Sequence, residues 1–359
     1  MSFLKSFKVK SRISGHYNVT FIKDFRELFK IYTNTNTIYI FDKKVSELYE
    51  KNFKFLNSNS RIIRIDCSEQ NKTVDYSLKL ITSLIELNIR KEDKIIAIGG
   101  GITQDIVAFI SSIIFRGVKW DFIPTTLLAQ CDSCIGSKSS INFDNYKNLL
   151  GTFNPPSNIY IYLGFLESLK VSEIKSGIGE MLHYFFTADI SLAKKITDNI
   201  ESLIVDRKNL LFYIKNSLNI KKKIIEIDEF DESIRHIFNF GHTFGHAIEA
   251  ITNYSIPHGQ AITLGMDLAN YISFKKNKIN YEQFKMMHNI LEKNLPSFKF
   301  NQDNINKYSD ALSKDKKNQG NQIGCILSKK PGYVEKVFIE NDIWLKESII
   351  EYSSIYFKL

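Results

Sequence analysis

An α/β N-terminal domain with a mostly parallel sheet, followed by an all-α C-terminal domain, is the architecture this 359-residue sequence predicts. Three observations predict it. Short β-branched or aromatic runs alternate with amphipathic helical stretches through residue 168. Gly99, Gly100 and Gly101 stand directly between a strand-like run and an apolar helical one. After residue 168 the strand signals fade and long helical patterns take over.

In chain order, the strand-like runs are TIYIF (37–41), RIIRID (61–66), KIIAIGGG (94–101), WDFIPTT (120–126) and NIYIYL (158–163). Each is rich in β-branched or aromatic residues, which suit a pleated, buried surface. Between the second and third, Leu78, Ile81, Leu84, Ile85 and Ile89 recur near helical spacing and predict a helix over 74–89. The nearly all-apolar VAFISSIIF (107–115) reads as a buried helix. The alternation is that of a Rossmann-like sheet covered by helices. Farther on, 210–227 and 259–274 read as helices. The expected domains are therefore 1–168 and 169–359, each long enough for its own core.

Hydrophobic residues make up 43% of the chain and charged residues 24%, the balance of a globular protein rather than a disordered one. Four cysteines in this length do not make a disulfide framework, which points to the reducing cytoplasm. The first residues interleave charges with apolar side chains, so they do not read as a signal peptide. No apolar run approaches the roughly 18 residues needed to span a bilayer. The net charge of +9 suits either a nucleic-acid surface or a site for small anions. The lysines are spread along the chain rather than gathered in a tail or stripe, which argues against nucleic acid.

Several motifs carry chemistry. Glycines between a strand and a helix let the backbone approach a pyrophosphate, and the helix N-terminus favours the anion. Asp42 ends a strand, where a carboxylate can accept from a ribose hydroxyl. His242 and His246, four apart, share one face of a helix, with Glu249 near it and His258 after a loop. Two of these histidines and one carboxylate would suffice for a catalytic zinc site, which keeps one position open. This is not H-E-x-x-H, because Thr243 stands where that motif has its glutamate. Cys131 and Cys134 form a C-x-x-C without a second pair and read as packing residues. Lys138, Lys147, Lys221 and Arg235 lie near these motifs and suggest a pocket for a polyanion.

The segments GGGITQD, FRGVKWDFIPTTLLAQCDSCIGSKSSIN, KNLLGTFNPP, GEMLHY, IRHIFNFGHTFGHAIEA, HGQAITLGM and KDKK occur in this order over roughly residues 35–330. In order and spacing the sequence resembles the 3-dehydroquinate synthase family. The PTTLLAQ-x-DS and N-x-GHTFGHAIE segments are the most specific, and the wider sugar-phosphate cyclases share them. The resemblance implies a dehydroquinate synthase-like fold, a homodimer, catalytic NAD and one divalent metal, Zn2+ or Co2+. The implied reaction converts 3-deoxy-D-arabino-heptulosonate 7-phosphate to 3-dehydroquinate and phosphate, a shikimate-pathway step. It runs by transient oxidation, phosphate elimination, reduction and aldol closure. By position, the implied metal ligands are Glu180, His242 and His258. His246, Asp132, Lys138 and Asn239 are the implied catalytic residues. Lys147, Asn148, His183, Lys221, Arg235 and Lys317 (or its neighbour Lys316) are implied at the substrate, with Arg116 reaching in from a partner subunit. For NAD the matching positions are Asp42, Glu69, Lys72, Gly99, Gly100, Asp105, Thr125 and Thr126.

The sequence departs from the family pattern at four places. His183 stands where the family usually has lysine, Gln260 where it has glutamate, and Ser137 where it has glycine. GGGITQD replaces GGGVIGD. These departures keep one alternative open, a divergent cyclase acting on a related sugar phosphate. A metal-dependent polyol dehydrogenase on the same architecture, which would release NADH, is a second alternative.

Overall fold

The structure is a computed structural model, and it describes residues 6–24, 27, 36–54, 56, 60–144, 146–315 and 318–357. The chain divides into two compact units, Met1–Leu169 with Lys221–Phe230, and Lys170–Ile220 with Asp231–Leu359. The segment Lys221–Phe230 groups with the first unit, although one boundary at 168/169 assigns it to the second.

The first unit is built on a seven-stranded sheet. Its strands are β1 (Phe7–Ser11), β2 (Gly15–Ile22), β3 (Thr37–Asp42), β4 (Arg61–Ile65), β5 (Lys94–Gly99), β6 (Lys119–Pro124) and, after a separate two-stranded hairpin of β7 (Ile141–Phe143) and β8 (Tyr146–Leu150), β9 (Asn158–Tyr162). The order across the sheet is β1-β2-β9-β6-β5-β3-β4. All neighbours are parallel except the β1–β2 hairpin, which is absent from the strands expected from sequence. In β5, Ile95, Ile96, Ala97 and Ile98 are all fully buried. A strand covered on both faces has no polar alternation, hence the continuous apolar run in the sequence.

The chain moves outward from β3 to β4, returns to β5, and then turns the other way to β6. Ligands of open α/β sheets bind at the carboxyl ends of the strands, where such a reversal occurs. Phe41 pairs with Ile98, and Gly99 with Pro124. Asp42, Gly99 and Thr125 therefore lie side by side at three adjacent strand ends. Helix Val74–Glu86 starts at Thr73, whose side chain accepts from Tyr76 N. The helix expected over 107–115 begins six residues earlier, as Gly101–Ile113. Glycines suggest a loop, but here Gly100 is the N-cap and the helix opens straight out of β5. The helix stops where Phe115, Arg116 and Gly117 all take positive φ.

The second unit is mainly helical. Helix His258–Lys275 is buried on every side from Gly259 to Ser273, as befits a core helix. The unit also carries one hairpin of β10 (Gln322–Lys330) and β11 (Tyr333–Glu340), where the sequence pattern predicts helix alone. Its signal is Pro331–Gly332, a turn dipeptide between two β-branched runs. Among the described residues, no helix is long and apolar enough to cross a membrane.

A buried polar cluster in this unit has a pH consequence. Asp267 Oδ2 lies 2.6 Å from His288 Nδ1 and accepts from Tyr352 OH at 2.6 Å. Burial alone would lower the His288 pKa, but the Asp267 carboxylate carries it above the ordinary value. A raised histidine pKa stabilises the fold fully below the unfolded value, and the contribution fades as pH rises through the folded one. The stability gap between wild type and His288→Gln should therefore be fully present below the ordinary histidine value of about 6.5 and shrink as pH rises above it. Paired urea titrations that find a constant gap would contradict this.

Candidate active-site residues

In the second unit, three helices bring the implied metal ligands together by crossing at glycines. A Cβ on Gly259 would lie 1.8 Å from Ser176 O, and one on Gly179 1.9 Å from Gly259 O. The Val171–Ala188 and His258–Lys275 helices thus touch backbone to backbone. Glu180 follows Gly179 and His258 precedes Gly259, so the crossing sets these two side chains against each other. The His242–Ile251 helix joins in the same way, since a Cβ on Gly265 would meet Gly241 O at 2.1 Å.

Glu180 Oε1 lies 3.0 Å from His258 Nε2 and 3.8 Å from His242 Nε2. Glu180 is 2% exposed, and this oxygen has no hydrogen-bond partner of sound geometry. The opposite ring nitrogens face acceptors. His258 Nδ1 is 3.1 Å from Glu249 Oε2, and His242 Nδ1 is 3.3 Å from Phe240 O. A proton on each Nδ1 leaves both Nε2 lone pairs turned toward Glu180, as in metal-bound histidines with a carboxylate or carbonyl behind them. The two Nε2 atoms and the orphaned carboxylate oxygen thus fit a divalent cation. Burial opposes ionisation of Glu180, yet the surrounding imidazoles hold its carboxyl well below the usual range. Burial also works against a charged His258, but Glu249 and Glu180 push its pKa up.

One ring nitrogen from each of His242, His246 and His258 also lies within 4.8 Å of the others. The geometry therefore offers two three-ligand sets that share His242 and His258, with Glu180 or His246 third. His246 is exposed and Glu180 buried. His183, 1% exposed, has Nδ1 3.6 Å from Glu180 Oε2 and its ring centroid 5.0 Å from that of His242. Arg235 is buried and Asn239 half-buried in the turn Ile234–Asn239 just before these helices.

The first unit gathers the other set. Gly99 has no room for a side chain, since its Cβ would fall 2.0 Å from Thr103 Oγ1. A Cβ on Gly100 would meet Thr126 Cγ2 at 3.0 Å, and Thr125 N donates to Gly99 O at 2.9 Å. This bare turn at the start of helix Gly101–Ile113 is the cradle a pyrophosphate needs. Asp42 accepts from Lys44 N at 2.9 Å, and burial raises its pKa. Lys72 is 4% exposed and donates to Asn148 Oδ1 at 2.6 Å and Asp105 Oδ2 at 3.0 Å, with Glu69 Oε1 3.7 Å away. Burial lifts the Asp105 carboxyl above its usual range, although Lys72 and Ser140 oppose this. Ser140 and Asn142, which end the segment FRGVKWDFIPTTLLAQCDSCIGSKSSIN but carry no implied role, complete the cluster. Asn142 donates to Glu69 Oε1 at 2.9 Å and accepts from Asn148 N at 2.9 Å.

Asp132 sits on the turn Ala129–Ser133, and Lys221 Nζ donates to its Oδ1 at 2.7 Å and its backbone O at 2.8 Å. Lys138, Lys147 and Arg116 are exposed. Lys316 and Lys317 lie outside the described residues. All four cysteines are free, and Cys131 and Cys134 are buried, in keeping with packing roles.

The fold is that of the sugar-phosphate cyclases. A 2-deoxy-scyllo-inosose synthase solved with carbaglucose-6-phosphate, NAD+ and Co2+ superposes with a TM-score of 0.86, at 23% identity over 97% of this chain and 100% of that one. The 2-epi-5-epi-valiolone synthase ValA of Streptomyces hygroscopicus subsp. jinggangensis, solved with NAD+ and Zn2+, gives 0.82 at 21% identity, covering 98% and 99%. Residues 62–176 match the 3-dehydroquinate synthase N-terminal family model and residues 177–318 the C-terminal one. A 3-dehydroquinate synthase of Clostridium tetani is 36% identical over 333 residues, 90% of this chain and 87% of its own. The chain belongs to the 3-dehydroquinate synthase family.

Proposed function

We propose that the chain is a 3-dehydroquinate synthase. In this reading it converts 3-deoxy-D-arabino-heptulosonate 7-phosphate to 3-dehydroquinate and phosphate, as a carbon–oxygen lyase of the shikimate pathway. It works in the cytoplasm as a homodimer. The observation that carries the reading is the buried, orphaned Glu180 Oε1 facing two histidine Nε2 atoms. Identity of 36% to a relative of that name supports the substrate, against 23% and 21% for the two cyclases of other names.

Bound NAD would take up and return a hydride, and a divalent cation, Zn2+ or Co2+, would polarise the oxygen at the reacting carbon. Glu180, His242 and His258 hold the cation. The bare turn at Gly99 and Gly100 admits the pyrophosphate, Asp42 meets a ribose hydroxyl, and Glu69, Lys72, Asp105, Thr125 and Thr126 shape the remaining cofactor site. Lys221 and Arg235 grip the substrate carboxylate, for which a guanidinium offers a two-pronged contact. Lys147, Asn148 and Lys317 meet its phosphate and hydroxyls. His246, on the same face as His242, exchanges protons with substrate, and Asp132, Lys138 and Asn239 orient the reacting groups. Arg116 is exposed and suits a contribution across a dimer.

The test is phosphate release from the heptulosonate phosphate with NAD+ and zinc. Steady release of phosphate without net NADH, yielding 3-dehydroquinate by mass, is expected. Net NADH from a polyol would instead mark a dehydrogenase. The buried His183 in place of a lysine favours one other reading, a cyclase for a related sugar phosphate. Turnover of such a compound with no turnover of the heptulosonate would establish it.

A further inference from the structure

Glu229 is a buried carboxylate, 3% exposed, with no role in the chemistry above. It lies in the Lys221–Phe230 segment that groups with the first unit. Its Oε1 accepts from Ser11 Oγ at 2.7 Å and from Ser137 Oγ, and its Oε2 accepts from Arg12 N at 2.6 Å. A carboxylate is buried only where donors replace its water, and here three do so.

The Ser137 contact bears on Lys138. Ser137 has φ 67 and follows Gly136 at φ 112. The left-handed region disfavours any residue with a Cβ, so a serine there needs an anchor. The backbone around it is tied down: Gly136 N donates to Tyr17 OH at 3.0 Å, Asn154 N to Ser137 O at 2.7 Å, and Ser139 N to Thr152 O at 2.8 Å. The side chain of Ser137 adds the link to Glu229. At the other end of the same segment, Lys221 binds Asp132. The segment thus holds the 132–138 stretch at both ends.

We infer that Glu229 is a positioning residue, which keeps Ser137 left-handed and so aims Lys138 at the substrate. The inference rests on the reading of Lys138 as a catalytic residue. It makes Ser137 and Glu229 an interdependent pair. Glycine at 137 adopts the same backbone without an anchor, so it should relieve the need for Glu229.

Four variants test this in the holoenzyme with the heptulosonate phosphate. Ser137→Ala keeps the Cβ and loses the hydroxyl, and should lower kcat by about tenfold with little change in KM. Ser137→Gly should lose less than Ser137→Ala. Glu229→Ala should fall at least as far as Ser137→Ala, and Glu229→Ala/Ser137→Gly should recover several-fold over Glu229→Ala. A double variant no better than Glu229→Ala, with both folded, overturns the inference, as does a Ser137→Ala enzyme with wild-type kcat. Hydrogen exchange at the Ser139 amide gives a readout apart from turnover. It should speed up in Ser137→Ala and Glu229→Ala and slow again in the double variant, and unchanged exchange in all three also overturns the inference. Lys138→Ala separates the two layers. Full activity in that variant would defeat the catalytic reading of Lys138 while the exchange pattern still judged the anchor.

Discussion

Glu180→Ala is expected to purify without its metal, with cation affinity lowered by about a hundredfold or more, whereas His246→Ala should keep full occupancy. The prediction decides between the two ligand sets that share His242 and His258. Glu180 supplies a negative oxygen that is buried, orphaned and 3.0 Å from His258 Nε2. His246 supplies a third imidazole, but from an exposed position. A buried carboxylate without a hydrogen-bond partner is costly unless a cation compensates it, and an exposed imidazole carries no such cost. His242→Ala should also empty the site. Elemental analysis of the three purified variants reads the outcome without any activity assay. Full metal in Glu180→Ala and none in His246→Ala would assign the ligands to the three histidines.

Gly259→Ala is expected to cost about 3 kcal/mol or more of stability, at the upper end for overpacking, and to lose the metal as well. The added methyl would sit 1.8 Å from Ser176 O and 2.7 Å from its carbonyl carbon. Those are backbone atoms of a neighbouring helix, so no side chain can swing away to make room. The helices must separate, and His258 moves with one of them while Glu180 stays on the other. Urea unfolding together with zinc analysis checks both halves. A variant within about 0.5 kcal/mol of wild type that still holds its metal would show that the crossing is looser than described.

Much of the site is legible in the sequence. The His242–His246 spacing places both on one helical face, and the glycines after β5 mark a backbone open to an anion. Asp42 is legible as a strand-end carboxylate. Other features are not, for specific reasons. Helix Gly101–Ile113 starts inside the glycine triplet with Gly100 as its N-cap, a non-helical position that accepts glycine. Ser140 and Asn142 lie in a family-like segment that gives them no role, and only the fold brings them to Lys72 and Glu69. Ser137 reads in sequence as a departure from a glycine pattern. The fold adds that its φ is positive and that Glu229 anchors it.

By itself the sequence determined the parallel sheet, the helical second half and the family, because hydrophobic period and motif spacing are local properties of the chain. The family resemblance already names Glu180, but tertiary structure alone decided how near its carboxylate lies to the histidines, which lysine pairs with Asp132, and how closely the helices cross. Each depends on residues far apart in the chain, as Glu180 is from His258 and Lys221 from Asp132. No local pattern encodes such a distance. For Glu180 and His258 it is set by how near two helix backbones can approach, and glycines opposite Ser176 O and Gly259 O set that limit.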